Sequence, residues 1–149
     1  MKNSDKKVIG WREYVDLPEW GIHDLRAKID TGARTCSLHV EDIEELPHGK
    51  IGFYVVLNLK PKRRRHMVAR SVKRGHVKSS IGHRTHRWYV QTTIKIGKVI
   101  KDVTVNLVER PGMNFRMLIG RKAIEDDFLV DVDHSFYLGQ PKKKLKDSR

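Results

Sequence analysis

The sequence has a single cysteine, Cys36, and no long apolar run among its 149 residues. One cysteine excludes an intrachain disulfide, and a chain without about 20 consecutive apolar residues has no helix able to span a bilayer. Residues 1–11 also lack the apolar centre of a secretion signal. We therefore expect a cytoplasmic protein that has no membrane partner.

Acidic residues are absent from residues 46–101, although this segment contains 15 of the 31 lysines and arginines. The whole chain has 18 acidic residues and a formal charge of +13, which favours acidic partners. Residues 61–87, the densest part, are interpreted as an anion-binding strip for RNA or an acidic polypeptide. The alternative is a solvated basic surface without a ligand. The strip has neither zinc-finger spacing nor an RNA-recognition aromatic motif.

Patterns for metals, cofactors and nucleophiles are scarce as well. The chain contains no HExxH motif and no glycine-rich phosphate loop. The pairs Cys36/His39 and His83/His86 stand alone, whereas a structural zinc site needs four ligands. The sequence therefore predicts no metal and no cofactor, and Cys36 is interpreted as a small, partly buried residue and not as a nucleophile.

Many short segments of β-branched and aromatic residues, separated by turn residues, predict a mostly β domain, either a barrel or a sandwich. We place this domain at residues 8–140, after a flexible N-terminus (1–7) and before a basic flexible tail (141–149). The main expected strands end at residues 29, 60, 97 and 109, and a further short strand is followed by an acidic turn closed at 47–49. After them we expect a short apolar run at 115–120, a helix from 121 and a closing hairpin of 128–132 with 135–139.

The segment "KIDTGARTCS" contains the only Asp-Thr-Gly of the chain, at Asp30, Thr31 and Gly32. Apolar alternation before it predicts a strand that delivers Asp30 into a turn. Gly32 permits a tight turn, and the Thr31 hydroxyl can lock it by hydrogen bonds. A carboxylate held in this way is suited to be half of a pair that shares one proton and activates water. An Asx turn without chemistry is the alternative.

The segments "AKIDTGA" and "MLIGRKAI" resemble the active-site loop and the later Gly-Arg signature of retroviral-type aspartic proteases. From residue 9 to 132 the chain is similar to the bacterial and archaeal retropepsin-like family labelled "ATP-dependent zinc protease". The resemblance implies a closed retropepsin-like barrel with one short C-terminal helix, and catalysis by Asp30, Thr31 and Gly32. Because each chain has one Asp-Thr-Gly, a dyad needs a homodimer with Asp30 from each chain; the alternative is a different mechanism.

Members of this family often occur with ligases that add glutamates to ribosomal protein tails. The resemblance thus implies a peptidase that hydrolyses peptide or amide bonds in acidic tails, with a glutamylated ribosomal protein as a partner. Four basic residues are candidates to bind substrate carboxylates, and two serines are expected on a hairpin covering the site: Arg34, Arg70, Lys78 and Arg121, with Ser79 and Ser80.

Two features depart from the family pattern. Arg34 stands where retroviral enzymes carry an acid, so Arg121 needs another partner, for which Asp24, Asp131 or a substrate carboxylate are candidates. The zinc and ATP of the label have no ligand set and no binding loop in the sequence. The rival hypothesis is a non-catalytic basic module that kept the fold and binds RNA or an acidic protein.

Overall fold

The computed structural model describes residues 5–78, 84–110 and 112–141. Within these ranges the chain forms ten strands and one short α-helix, and none of the helices there is long and apolar enough to cross a membrane. The elements are β1 (Lys7–Gly10), β2 (Arg12–Leu17), β3 (Ile22–Ile29), β4 (Cys36–Leu46), β5 (Lys50–Leu59), β6 (Lys62–Lys78), β7 (Arg84–Ile96), β8 (Val99–Val108), β9 (Met117–Ile119), α1 (Arg121–Ile124) and β10 (Phe128–Asp131).

Eight strands form one sheet in the order β2-β3-β9-β4-β5-β6-β7-β8. Two additional pairings, β2 with β7 and β4 with β8, connect strands that are distant in this order. The β2–β7 pairing closes a ring of seven strands, and β8 bonds to both β7 and β4. Strands β1 and β10 form a separate parallel pair. The expectation of a mostly β fold with one short helix is confirmed.

Strand β3 shows how the alternation of apolar and basic residues in the sequence specifies a strand with one buried face. Leu25, Ala27 and Ile29 are buried, whereas Arg26 and Lys28 between them are exposed. A strand alternates its side chains between two faces, so one apolar face packs into the core while the basic face meets solvent. The strand predicted before the Asp-Thr-Gly is therefore confirmed, as are the main strands ending near residues 60, 97 and 109.

The short strand predicted before the acidic turn is wrong in its length, because β4 continues to Leu46. The chain then turns in the short 3-10 turn at Pro47–Gly49, where the prediction closes the turn. The pairing of β4 with β5 shifts between Glu41 and Glu44, and Asp42 has a positive φ of 55°. Acidic side chains fit here because basic residues of β6 neutralise them. Lys62 and Arg64 both pair with Glu41, at 2.7 and 3.1 Å.

The predicted closing hairpin is also wrong. Phe128–Asp131 forms β10, which pairs in parallel with β1, and residues 135–139 form no strand. The final segment is instead held by Glu13, a fully buried carboxylate on the inward face of β2. Its two oxygens accept the backbone N–H groups of Gly10 (2.6 Å), Tyr137 (2.9 Å) and Leu138 (3.1 Å). A buried carboxylate needs such partners.

Candidate active site

Asp30 lies where β3 ends beside the end of β9. Strand β9 runs between β3 and β4, parallel to the former and antiparallel to the latter. The Asp30 N–H donates to the Ile119 carbonyl oxygen at 2.8 Å, which extends the β3–β9 ladder by one bond. The two strands therefore deliver the Asp-Thr-Gly segment and the Gly-Arg segment to the same edge of the sheet.

The Asp30 turn is closed by local hydrogen bonds. The Ala33 N–H donates to the Asp30 carbonyl oxygen at 3.1 Å, and the Gly32 N–H donates to Asp30 Oδ1, also at 3.1 Å. The second bond is the Asx turn that the sequence allowed. It uses one carboxylate oxygen only, since Oδ2 accepts no hydrogen bond from the described residues. Asp30 is half-buried, while Thr31 and Gly32 are exposed.

The segment that follows β9 holds this turn in place from the other side. The backbone N–H groups of Arg121 and Lys122 donate to the carbonyl oxygens of Ala33 (2.8 Å) and Arg34 (3.1 Å). Arg121 Nη1 donates to the Thr31 carbonyl oxygen at 2.9 Å. The partner of Arg121 is thus a backbone carbonyl of the turn itself, and not the carboxylate of Asp24 or Asp131 that the sequence suggested.

Asp131 has its own partners at the end of β10. Its carboxylate accepts the Asp133 N–H at 2.9 Å and lies 2.7 Å from His134 Nδ1. These two contacts lower the pKa of Asp131 from its ordinary value, and the hydrogen bond from the Asp133 N–H has the larger effect. These contacts explain why Asp131 does not pair with Arg121.

Two glycines allow the backbones at this edge to approach closely. A Cβ at Gly120 would overlap the Thr35 carbonyl group, and a Cβ at Gly32 would lie 3.3 Å from Asp30 Oδ1. Neighbouring Cys36 is 1% exposed, and burial raises the pKa of its thiol to about 11, against an opposing hydrogen bond from the Gly120 backbone. Burial and the raised pKa disfavour the thiolate at neutral pH, in agreement with the prediction that Cys36 is not a nucleophile; the residue is more buried than the sequence predicted.

A small cationic pocket of about 240 Å³ adjoins the turn, lined by Arg34, Arg121, Lys122 and Glu125. Two predicted substrate residues, Arg34 and Arg121, are thus brought together beside Asp30. Arg34 is exposed and has no ion-pair partner in the described part of the chain. The pocket can therefore receive a carboxylate from a ligand.

Of the other predicted substrate residues, the structure describes the side chain of Arg70, which does not line this pocket. Arg70 donates to the His48 carbonyl oxygen at 3.0 Å, at the Pro47–Gly49 turn. Lys78 is the last residue of β6, while Ser79 and Ser80 lie outside the described residues. The expected covering hairpin therefore stays a prediction.

Among the side chains that the structure describes, those of residues 5–72, 87–110 and 112–141, no cluster of three or more His, Cys, Asp or Glu fits a metal. His39, which the sequence paired with Cys36, is 1% exposed and contacts Arg116 instead, with 2.7 Å between His39 Nδ1 and Arg116 Nη1. Burial lowers the pKa of His39 most, and the positive charge of Arg116 lowers it further. The structure thus gives His39 a buried structural contact.

Sequence comparison identifies the family. Residues 8–141 match the family model described as RimB-like, retropepsin-like aspartic endopeptidase RimB. The chain is also 32% identical over 144 residues to a probable alpha-L-glutamate ligase of Desulfotalea psychrophila, and 33% identical to one of Shewanella pealeana. Each alignment covers 93% of this chain and 31% of the relative, so the chain spans about a third of these proteins.

Structure comparison agrees with this assignment. The fold is similar to the crystal structure of a DUF785 protein of unknown function from Legionella pneumophila, with a TM-score of 0.73 and 29% sequence identity. The match covers 89% of this chain and 98% of that one. The family match spans nearly the whole chain and includes the Asp30 turn and the Gly120-Arg121 segment that holds it. The chain belongs to the RimB-like family of retropepsin-like aspartic endopeptidases.

Proposed function

We propose that two copies of this chain form one aspartic endopeptidase, in which each protomer contributes Asp30 to a shared dyad. We also propose that the ring of seven strands is a closed retropepsin-like barrel. The observation that carries it is the Asp30 turn, which is anchored by backbone hydrogen bonds with Ile119 and Arg121. No group of the described residues donates to Asp30 Oδ2. Each chain has one Asp-Thr-Gly, so a dyad needs the second protomer.

The reaction follows from two carboxylates that share one proton. The ionised Asp30 takes a proton from a water molecule, whose oxygen then attacks the carbonyl carbon of the substrate. The protonated Asp30 of the second protomer gives its proton to the carbonyl oxygen, and a tetrahedral diol forms. Transfer of a proton to the amide nitrogen then breaks the C–N bond, which leaves a carboxylic acid and an amine.

In this mechanism the neighbouring residues position the carboxylate. Thr31 and Gly32 shape the turn, and a side chain at Gly32 would crowd Asp30 Oδ1. Arg121 restrains the turn through the Thr31 carbonyl oxygen, and its remaining guanidinium N–H groups are donors for a ligand. No metal and no cofactor enter any step.

We propose that the substrate is a glutamate-rich segment, such as the glutamylated tail of a ribosomal protein. The cationic pocket of Arg34 and Arg121 beside Asp30 supports this, because arginine binds carboxylates bidentately. Relatives that carry a similar segment are named glutamate ligases, which connects the segment with glutamate chemistry. Arg70, Lys78, Ser79 and Ser80 remain proposed contacts further along the substrate.

The test compares wild type, Asp30→Asn and a matched control, Asp102→Asn, which neutralises an exposed carboxylate on β8. Each protein is incubated with a peptide that has an internal run of glutamates, and the products are read by mass spectrometry. We expect internal cleavage by wild type and control, and a loss of at least about a thousandfold in Asp30→Asn.

Mixing the two proteins tests the shared dyad. If protomers exchange freely and both aspartates are needed, an equal mixture of wild type and Asp30→Asn keeps about one quarter of the activity, because only wild-type homodimers are active. If the mixture instead keeps one half of the wild-type activity, each protomer has an independent active site. Folded Asp30→Asn protein that cleaves like wild type would refute the assignment of Asp30, and cleavage by neither protein would favour the binding module.

A further inference from the structure

A second and larger groove, of about 690 Å³, lies at the other end of β3. Its lining includes residues 21–26 and 57–60, together with Arg63 and Arg65. Arg26 is the groove residue of β3 nearest to Asp30, four positions before it, which corresponds to about 13 Å along a strand. The groove shares no lining residue with the small pocket beside the Asp30 turn.

Positive charge dominates the lining of this groove. Asp24 is the one acid among the described lining residues, and its backbone N–H donates to Asp16 Oδ1 at 2.9 Å. Five basic side chains oppose that single carboxylate: Arg26, Lys60, Arg63, Arg65 and Arg116. A concave surface with one sign of charge concentrates ligands of the opposite sign.

Arg116 is the strongest indication that the groove is built for a ligand. It is only 5% exposed, yet no carboxylate lies within 4 Å of it in the described residues. Its guanidinium is held by the neutral groups His39 Nδ1 and the Met113 carbonyl oxygen, and Arg26 adds a like charge nearby. A buried cation without a counter-charge is unfavourable, so an anion in the groove would offset this cost.

Two of the other arginines are already held in position. Arg65 Nη1 donates to the carbonyl oxygens of Trp20 (3.1 Å) and Gly21 (2.8 Å). The Arg26 guanidinium lies over the Phe115 ring, 4.8 Å from its centroid. Side chains that are restrained before binding lose less entropy when a ligand arrives.

The shape and chemistry of the groove favour a peptide over RNA. Single-stranded RNA is recognised by aromatic side chains that stack on bases. The described lining has two rings, Tyr14 and His23. One face of Tyr14 is stacked on Phe136 at a centroid distance of 4.6 Å, and His23 Nδ1 lies 3.7 Å from Asp16 Oδ2. Leu57 and Leu59 add apolar surface, which suits the methylene groups of a peptide. The volume fits a short segment.

We propose that this groove binds an acidic segment of the substrate polypeptide at a distance from the cleaved bond. Arg26 and Lys28 are exposed on the same outward face of β3, so an extended chain in the groove can continue along basic side chains towards Asp30. This inference deepens the proposed function and rests on it for the identity of the substrate. Binding itself requires no catalysis.

The test measures binding in the Asp30→Asn background, so that turnover cannot interfere. The probe is fluorescein-labelled hexaglutamate, and the readout is its Kd from fluorescence anisotropy at low salt. The groove variant is Arg26→Gln with Arg63→Gln, both exposed residues. The control variant, Lys50→Gln with Lys98→Gln, removes the same charge from exposed positions that line neither pocket.

We expect the groove variant to raise Kd about tenfold, and the control variant to raise it less than about twofold. Equal changes in both variants would show non-specific attraction and overturn the proposal. Tighter binding of labelled hexauridylate through the same two arginines would assign the groove to RNA. Groove-dependent binding without cleavage by the wild-type chain would refute the proposed function alone.

Discussion

Replacing Glu13 by alanine should destabilise the fold strongly, because this one carboxylate satisfies three backbone donors. The Gly10 N–H is buried, and those of Tyr137 and Leu138 are partly buried. Leaving a buried donor unpaired costs about 1–3 kcal/mol, and a donor that can recover water costs less. The sum for Glu13→Ala is about 2–4 kcal/mol, a large share of the roughly 5–15 kcal/mol that stabilises a typical domain.

The assay is equilibrium unfolding in urea, followed by the fluorescence of Trp11, Trp20 and Trp88. With a urea dependence of about 2 kcal/mol/M, the midpoint of Glu13→Ala should fall by about 1–2 M. Glu13→Gln keeps the shape and one acceptor oxygen, so it should lie between alanine and wild type. The matched control is Glu19→Ala, which removes an exposed glutamate just after β2 and should change stability by less than about 0.5 kcal/mol.

The ordering of these variants is the decisive result. If Glu13→Ala unfolds at the same urea concentration as Glu19→Ala, the three hydrogen bonds do not hold the final segment, and the reasoning is refuted. If Glu13→Gln is as unstable as Glu13→Ala, the negative charge matters more than the number of acceptors.

Two further predictions concern the edge that carries Asp30. Gly120→Ala should lower both the urea midpoint and the rate of peptide cleavage, because the new methyl group overlaps the Thr35 carbonyl group. The control is Gly112→Ala, whose Cβ would have nothing within 4 Å, and equal effects of the two substitutions would contradict the close approach at Gly120. Cys36 should resist a thiol reagent at pH 8 until urea unfolds the chain, since it is buried with a pKa raised from 9.0 to about 11. Because the folded state holds this proton more tightly, stability should fall as pH rises from about 9 to 11 in wild type and less so in Cys36→Ala; identical profiles would contradict the raised pKa.

Local sequence determined two kinds of element. One is a strand whose apolar residues alternate regularly, and the other is a turn whose hydrogen-bond partners lie close together in the chain. The alternation of Leu25, Ala27 and Ile29 is sufficient to specify a strand with one buried face, whatever lies beyond that face. The Asp30 turn is similar, because both of its closing bonds span only two or three residues. The segments "AKIDTGA" and "MLIGRKAI" resemble those of retroviral-type aspartic proteases, and the similarity over residues 9–132 then indicated the family.

Local sequence was misleading where distant residues decide the outcome. The acidic segment before Pro47 predicted a short strand and a turn, whereas the strand continues to Leu46 and its residues Glu41 and Asp42 have basic partners on β6, more than 20 residues away. The same contacts neutralise part of the basic strip, so Arg64 belongs to a paired surface and not to a free one. The closing hairpin was wrong because β10 pairs with β1, which lies at the opposite end of the chain.

The sequence by itself determined the strand-rich class of this protein, the turn that presents Asp30 and the aspartic-peptidase family. Only the tertiary structure decided that Arg121 bonds to the Thr31 carbonyl oxygen, that Glu13 is a buried acceptor and that Arg116 lies uncompensated in a basic groove. The physical reason is the range of the forces involved. Side-chain alternation and turn chemistry act over a few residues, whereas burial and charge pairing depend on which distant segments the fold brings together.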